Sequence, residues 1–367
     1  MKGKQVAQII ITADLHFGVP GRLNDILWSA RVMREYCKMA NIDTVLVLGD
    51  LFHDRKSIEI DVLSAVTKFF EEANEIYNQK WIVFPGNHDM FLRHSWDINS
   101  LTVLKRHLTV IEDIKILEID SARFWILPFI TYEKPFMKVL SSIESQYVDG
   151  DILLTHVGIK GATLNTCFLL KDWSIITFAH SKFKKVYTGH FHSRQQVGDN
   201  VYYPGSPIPF KFDEGDVPHG FYHYDTDSKS HKFINIWKAG SKFFPDEIMP
   251  PQYYTITEET IDQLSDTDIN NGVVRVALQR DYTIDERKKL KEKLLGLGAR
   301  SIHWMDLTKK MEKHDIIAAA PSRDLFKTWV DNDKNGTKNL NTDVLRRIND
   351  EVIQEGDEKY SVEESEV

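Results

Sequence analysis

One pattern recurs five times in the first two-thirds of the chain: a short apolar run ends abruptly in a polar cluster. Continuous apolar runs of this length, several of them rich in β-branched residues, predict strands that are buried on both faces. Stretches with helical period separate some of the runs, at 24–39 and 58–77. This alternation predicts an α/β fold in which helices cover a sheet.

The polar clusters contain residue types that bind metals or exchange protons. In α/β folds a ligand binds beyond the carboxyl ends of the strands, so clusters far apart in sequence are expected to meet there. Eight candidate residues at five strand ends therefore indicate one shared site. They are Asp14, His16, Asp50, Asn87, His88, His156, His190 and His192.

The chemistry of these side chains predicts a centre of two divalent metal ions. Carboxylate, imidazole and amide oxygen suit manganese, iron or zinc better than magnesium, and the set has no thiolate, which argues against structural zinc. Asp50 can bridge the two ions, which would then activate a water and clamp phosphate oxygens. His88 is expected to stabilise the phosphate oxygens or to protonate the leaving oxygen, with Asp89 orienting it through the other ring nitrogen.

The clusters resemble the five signature blocks of calcineurin-like metallophosphoesterases, in their order and similar spacing, across residues 5–225. The resemblance implies a calcineurin-like αββα sandwich with His88 as the catalytic histidine. It also implies two divalent ions, with Mn²⁺ expected. The first ion would be held by Asp14, His16, Asp50 and His192, and the second by Asp50, Asn87, His156 and His190.

Two segments, Gly49-Asp50-Leu51-Phe52-His53 and 203–209, narrow the resemblance to SbcD-like exonuclease subunits of the double-strand-break-repair nuclease branch. This implies a bacterial or phage-encoded DNA exonuclease/endonuclease in end processing, recombination or repair. His53 would support the site, although residues 54–57 lack the proline often found in the family. The implied partners are DNA and an SbcC-like ABC-type ATPase, in a heterotetramer that contains a homodimer of this chain.

Two other functions share the same core motifs. The first alternative is a phosphatase or cyclic-nucleotide phosphodiesterase that acts on small substrates. The second is a non-catalytic binding scaffold, which the complete ligand set and the presence of His88 disfavour. Steady turnover of a small phosphodiester without activity on DNA would identify the first alternative, and failure to bind two metals would favour the second.

The sequence divides into four expected regions. Prolines at 245, 250 and 251 separate a nuclease domain, 1–245, from a small α/β capping domain, 246–317. Residues 318–355 are expected to form short amphipathic helices, which need a surface to bury against, in a partner or in their own chain. The resemblance implies that these are ATPase-binding helices. Residues 356–367 are expected to form an acidic, disordered tail.

The net charge of −8 does not argue against a DNA partner, because it is concentrated at the end of the chain. Residues 350–367 hold eight acidic residues and one lysine, so residues 1–349 carry only −1. DNA phosphates need basic contacts. The candidates near the site in sequence are Arg22, Arg93, His94, Lys182, Lys184, Lys185 and Arg194.

Cysteine usage and hydropathy bear on the cellular location. The two cysteines, Cys37 and Cys167, cannot form a disulfide framework, and their scarcity fits a reducing compartment. There is no apolar signal region and no run approaching ~18 apolar residues. We therefore expect a protein without membrane contact, in the cytoplasm of a bacterium or a phage-infected host.

Overall fold

The computed structural model describes residues 8–92, 95–165, 168–169, 178, 180–215, 217–261, 263–264 and 269–306. The expected helices at 318–355 and the expected tail at 356–367 lie outside these residues. Within them, no helix is both long and apolar enough to cross a membrane.

The elements alternate along the chain as the apolar runs predict. The strands are β1 (Gln8–Thr12), β2 (Thr44–Val47), β3 (Lys80–Val83), β4 (Thr109–Val110), β5 (Lys115–Ile119), β6 (Ala122–Leu127), β7 (Ile152–His156), β8 (Thr163–Asn165), β9 (Phe168–Leu169), β10 (Val186–Gly189), β11 (Gln195–Val197), β12 (Val201–Tyr203), β13 (Gly220–Asp225), β14 (Ser230–Asn235), β15 (Tyr253–Thr257), β16 (Val273–Leu278) and β17 (Ser301–Asp306). The helices are α1 (Leu23–Ala40), α2 (Ile60–Glu75), α3 (Glu133–Glu144), α4 (Ile236–Phe243), α5 (Glu258–Ile261) and α6 (Ile284–Gly296).

Two six-stranded sheets form the main body. Their strand orders are β14-β13-β1-β2-β3-β4 and β11-β12-β10-β7-β6-β5. In each sheet the central strands are parallel. Antiparallel strands lie at one edge of the first sheet, formed by β13 and β14, and at both edges of the second, formed by β11 and β5. The other edge strand of the first sheet, β4, is parallel to β3. Every residue of the central strands β2 and β7 is buried, as expected for parallel strands covered on both faces.

The side chains of the central strands alternate between two apolar layers. Ile9 and Ile11 of β1 pack between the sheets with Phe124 and Leu154 of the second sheet. Ile10 points to the opposite face, where it joins the cluster formed by α1 and α2. Helix α3 covers the outer face of the second sheet. These layers form an αββα sandwich, so the predicted sandwich of two sheets between helices is confirmed.

A small module follows the proline-rich segment. Strands β15, β16 and β17 form a parallel sheet with its own apolar core, which includes Ile256, Val274 and Leu294. Helix α6 begins with a capping box in which the side chain of Thr283 and that of Glu286 each accept the other's backbone N–H. This is the α/β architecture expected for residues 246–317, of which the structure describes the part up to Asp306, while the domain boundaries themselves stay predictions.

Candidate metal centre

Strand ends from both sheets meet at one edge of the sandwich. The backbone N–H of Asp14 donates to the carbonyl of Gly49 at 3.2 Å, and that of His16 donates to the carbonyl of Asp50 at 3.1 Å. The backbone N–H of His190, from the second sheet, donates to the carboxylate of Asp14 at 3.0 Å. The polar clusters that are distant in sequence are therefore adjacent in space.

Four of the predicted ligands have left-handed backbone conformations. The φ angles are 53° for Asp14, 51° for His16, 51° for Asp50 and 101° for His190. Positive φ is uncommon for residues other than glycine, and residues held in it tend to cluster at functional sites. Each of these residues follows a strand, so the chain turns sharply there and aims the side chain into the shared site.

One group of potential metal ligands consists of Asp14, His16 and His192. Each offers one ligand atom, and these three atoms lie within 4.8 Å of one another. The Nε2 atoms of His16 and His192 are 3.0 Å apart, and the Nε2 of His16 is 3.8 Å from the Oδ2 of Asp50. Two ring nitrogens and two carboxylates that converge in this way match the ligand types that divalent transition metals prefer.

A second group is centred on His156. Its ligand atom lies within 4.8 Å of those of Asp14 and Asp50. The side-chain oxygen of Asn87 is 3.0 Å from the Nε2 of His156 and 2.9 Å from the Nδ1 of His190. Because Asp50 lies 3.3 Å from the Nε2 of His156 and also faces the first group, its position suits a bridge between two ions.

The backbone fixes the ring of His156 in a ligand orientation. Its Nδ1 donates to the carbonyl oxygen of Leu48 at 2.7 Å. A carbonyl oxygen only accepts, so Nδ1 carries a proton, and Nε2, which has a free lone pair when the ring is neutral, faces Asn87 and Asp50. The donor set and this tautomer both fit a divalent ion.

The buried charges in the site depend strongly on one another. Burial raises the pKa of Asp14 to about 6. Burial also opposes the ionisation of Asp50, but His156 and His88 hold the pKa of this carboxyl well below its usual range. Burial would lower the pKa of His156, yet Asp50 raises it to about 9. Divalent ions would displace the protons that these groups share.

His88 is close to the ligands, but Asp89 does not orient it. The Nδ1 of His88 lies 2.6 Å from the carbonyl oxygen of His53, so this carbonyl is the orienting partner. The rings of His53 and His88 are stacked with centroids 5.7 Å apart. His53 therefore contributes both its backbone and its ring, next to His16.

The carboxylate of Asp89 holds together the loops that carry the site. It accepts the backbone N–H groups of Leu51 and Phe52 at 3.0 and 3.1 Å, and that of Gly86 at 3.0 Å. Asp89 is fully buried. Burial, with the nearby charge of Asp50, raises its pKa to about 7. The expected role of Asp89 as partner of the His88 ring is corrected to that of a link between the loops after β2 and β3.

The sequence analysis missed Glu214. This carboxylate lies 2.8 Å from the Nδ1 of His192 and is 2% exposed. No motif surrounds it, and only its burial beside a predicted ligand draws attention to it. An acidic residue shortly after a proline-rich turn is too common a pattern to have identified it.

The segment 203–209 supports the backbone of His192. The N–H of Ser206 donates to the carbonyl of His192 at 3.0 Å. Gly205 has φ +73°, and a Cβ there would lie 2.4 Å from the same carbonyl oxygen. The segment is thus packed against a predicted ligand, and its tight turn requires glycine.

Four of the seven basic residues expected to contact phosphate have structural partners. The guanidinium of Arg22 is bound by Asp25, by the hydroxyl of Tyr253 and by the carbonyl of Pro209. Lys182 donates to the carbonyl of Glu144, Lys185 to that of Lys229, and Arg194 lies over the ring of Phe233. Arg93 and His94 lie outside the described residues. Arg22, in particular, is 8% exposed and is committed to internal contacts.

Comparison with known proteins supports the interpretation of this site as a phosphoesterase site. Residues 7–194 match the model of a family described as calcineurin-like phosphoesterase. A protein of Invertebrate iridescent virus 6 that is named as a phosphoesterase is 23% identical over 188 residues, covering 48% of this chain and 62% of the viral protein. Exonuclease subunit 1 of Enterobacteria phage T4 is 22% identical over 209 residues, covering 54% of this chain and 58% of the phage protein.

The chain thus spans about three-fifths of the length of these two relatives. Among solved structures, a dimetal phosphatase from Danio rerio is 13% identical with a TM-score of 0.37, covering 60% of this chain and 92% of that one.

Proposed function

The chain belongs to the calcineurin-like phosphoesterase family, and on that premise we propose that it is a two-metal-dependent DNA nuclease. Family membership supports a hydrolase that acts on phosphoesters and uses divalent metals. The proposal adds that the ions are Mn²⁺ and that the bonds are phosphodiesters of DNA. It also adds that the activity is exonucleolytic or endonucleolytic, in end processing, recombination or repair.

One observation carries this proposal: the seven candidate ligands and His88 converge at one edge of the sandwich. Asp14, His16 and His192 would hold one ion, and Asp50 would bridge to a second. The other ligands of the second ion would be Asn87, His156 and His190. When bound, two divalent ions supply a water of lowered pKa and polarise the phosphate oxygens.

His88 is suited to proton transfer by its contact with His53. The carbonyl oxygen of His53 is an acceptor only, so the Nδ1 of His88 carries a proton in every protonation state of the ring. Any proton that His88 delivers or takes must therefore pass through Nε2. A fixed Nδ1–H also holds the ring in one orientation, which lets Nε2 act on the leaving oxygen or stabilise the phosphate.

Two features support DNA as the substrate. The chain is similar to exonuclease subunit 1 of phage T4. In addition, the segments 49–53 and 203–209 resemble those of SbcD-like subunits, and the structure packs both of them against the site. We also propose an SbcC-like ABC-type ATPase as partner, in a heterotetramer that contains two copies of this chain.

The test is cleavage of end-labelled duplex DNA with and without Mn²⁺, and with and without the ATPase. We expect Mn²⁺-dependent degradation, and we expect His88→Ala to reduce it by about 10²–10⁴-fold with an unchanged melting temperature. His180→Ala, which removes an exposed histidine, is the matched control and should cleave normally.

Two results would contradict the proposal. Cleavage by His88→Ala at the wild-type rate would show that His88 does not have the catalytic role assigned to it. Turnover of a small phosphodiester such as bis-p-nitrophenyl phosphate, with no cleavage of DNA under any of these conditions, would point instead to a phosphatase or a cyclic-nucleotide phosphodiesterase.

A further inference from the structure

A buried carboxylate, Glu214, contacts one of the predicted ligands from outside the ligand set. Its Oε1 lies 2.8 Å from the Nδ1 of His192, and its Oε2 accepts the backbone N–H of Phe210 at 2.7 Å. The side chain is 2% exposed. Both oxygens therefore have a specific donor in a region that water barely reaches.

This contact determines which nitrogen of His192 faces the site. Each carboxylate oxygen of Glu214 faces one nitrogen, with Oε1 2.8 Å from the Nδ1 of His192 and Oε2 2.7 Å from the backbone N of Phe210. A carboxylate only accepts hydrogen bonds, so this arrangement fits a ring of His192 whose Nδ1 carries a proton. The opposite nitrogen, Nε2, is the atom that lies 3.0 Å from the Nε2 of His16.

Contacts made by the residues before and after Glu214 hold its backbone in place. It ends a 3₁₀ turn, Phe212–Glu214, and the ring of Phe212 packs edge-on against Tyr253 at 5.1 Å. The buried ring of His219 lies 2.8 Å from the carbonyl oxygen of Glu214 and 2.8 Å from that of Ser206. The carboxylate therefore has little freedom to leave the ring of His192.

We propose that Glu214 is a positioning residue of the metal centre, which orients the ring of His192 and fixes the tautomer whose Nε2 lone pair faces the metal. Carboxylates that bind the far nitrogen of a ligand histidine commonly raise metal affinity, because they orient the ring and increase its basicity. The inference rests on the two-metal centre of the proposed function and does not depend on DNA as the substrate.

The variant Glu214→Gln tests this role with almost no change in size. A carboxamide has one acceptor oxygen, yet two donors face it, the Nδ1–H of His192 and the N–H of Phe210. One contact must be lost, or the ring of His192 must take the other tautomer. We expect Mn²⁺ binding at one of the two sites to weaken about 10–100-fold in the full-length protein, measured by EPR of free Mn²⁺ during titration.

Asp213→Asn is the matched control. It removes the same charge from the neighbouring residue, which is 44% exposed and lies 3.6 Å from Arg275 on the side of the small module. Its Mn²⁺ affinity should equal that of the wild-type protein. An equal loss of affinity in both variants would mean that net charge, and not the contact with His192, controls binding, and would overturn the proposal.

A double-mutant cycle separates positioning from general structural damage. If Glu214 acts through His192, then adding Glu214→Gln to His192→Ala should change Mn²⁺ affinity by less than about twofold. A loss in the double variant equal to the product of the single losses would overturn the proposal. Wild-type affinity in Glu214→Gln alone would also overturn it.

The wild-type protein provides a measurement that does not depend on how any variant folds. In the Zn²⁺-loaded protein, nitrogen-15 NMR should show His192 with a hydrogen-bonded, slowly exchanging Nδ1–H. A ring protonated on Nε2 would overturn the proposal. Because none of these experiments contains DNA, their failure can be told apart from failure of the nuclease assignment.

Discussion

The positions of single residues in the site depend on contacts that cannot be predicted from the residue types alone. Gly86 illustrates this, because it allows two loops to touch. A Cβ at this position would lie 2.2 Å from the Oδ1 of Asp50 and 2.5 Å from the backbone N of Asp50. The neighbouring N–H of His88 donates to the same Oδ1 at 2.8 Å. Only glycine leaves room for the candidate bridging carboxylate beside the loop that carries Asn87 and His88.

Gly86→Ala should therefore damage the metal centre. The added methyl group would push Asp50 or the loop away, because overpacking at a rigid contact forces the backbone to move at a cost of about 1–3 kcal/mol. We expect a lower free energy of unfolding in urea and a loss of Mn²⁺ binding by calorimetry. Gly296→Ala is the control, since no atom lies within 4 Å of its Cβ position, and it should change stability by no more than about 1 kcal/mol. Equal behaviour of the two variants would contradict the argument.

At the level of elements, the loops after the strands are joined by buried polar side chains. Asp89 links the loops after β2 and β3 through backbone N–H groups. Arg22, at the start of α1, bridges Asp25 to Pro209 and to Tyr253 of β15. A basic residue just after the first motif predicts a phosphate contact on sequence grounds. The structure shows instead that Arg22 fastens the small module to the main body.

Arg22→Ala should destabilise the protein by about 2–4 kcal/mol in urea unfolding, because it removes charge-assisted hydrogen bonds and leaves Asp25 partly buried without its partner. Arg31→Ala is the matched control on the same helix. Its salt bridge with Glu247 is more exposed, with side chains 35% and 40% accessible, and should contribute at most about 1 kcal/mol. A smaller effect at Arg22 than at Arg31 would show that the Arg22 contacts do not hold the module.

For the whole molecule, the candidate metal centre lies where the two sheets meet. Asp14 and Asp50 follow strands of the first sheet, while His156 and His190 end or follow strands of the second. An ion held by residues from both sheets binds the folded protein and not the unfolded chain. Metal binding must therefore stabilise the sandwich as a whole.

Mn²⁺ should accordingly raise the melting temperature, and EDTA should reverse the increase. At a free concentration 100 times the dissociation constant, one such ion contributes about 2.7 kcal/mol of stability. Asp50→Asn should reduce or abolish the response, because it removes the charge of the candidate bridging ligand. Differential scanning calorimetry provides the measurement. An equal shift in the wild-type protein and in Asp50→Asn would place the ion elsewhere.

The sequence by itself determined the layered α/β architecture and the types of residue at the strand ends. Both can be read from the order of residues, because the apolar periodicity and the clusters of Asp, His and Asn are local patterns. Only the tertiary structure decided what orients those residues. Carbonyl groups of Leu48 and His53 set the rings of His156 and His88, and Glu214 sets that of His192. Backbone carbonyls occur at every position, and the approach of Glu214 depends on how one turn packs. None of these three contacts therefore has a pattern that can be recognised in the sequence.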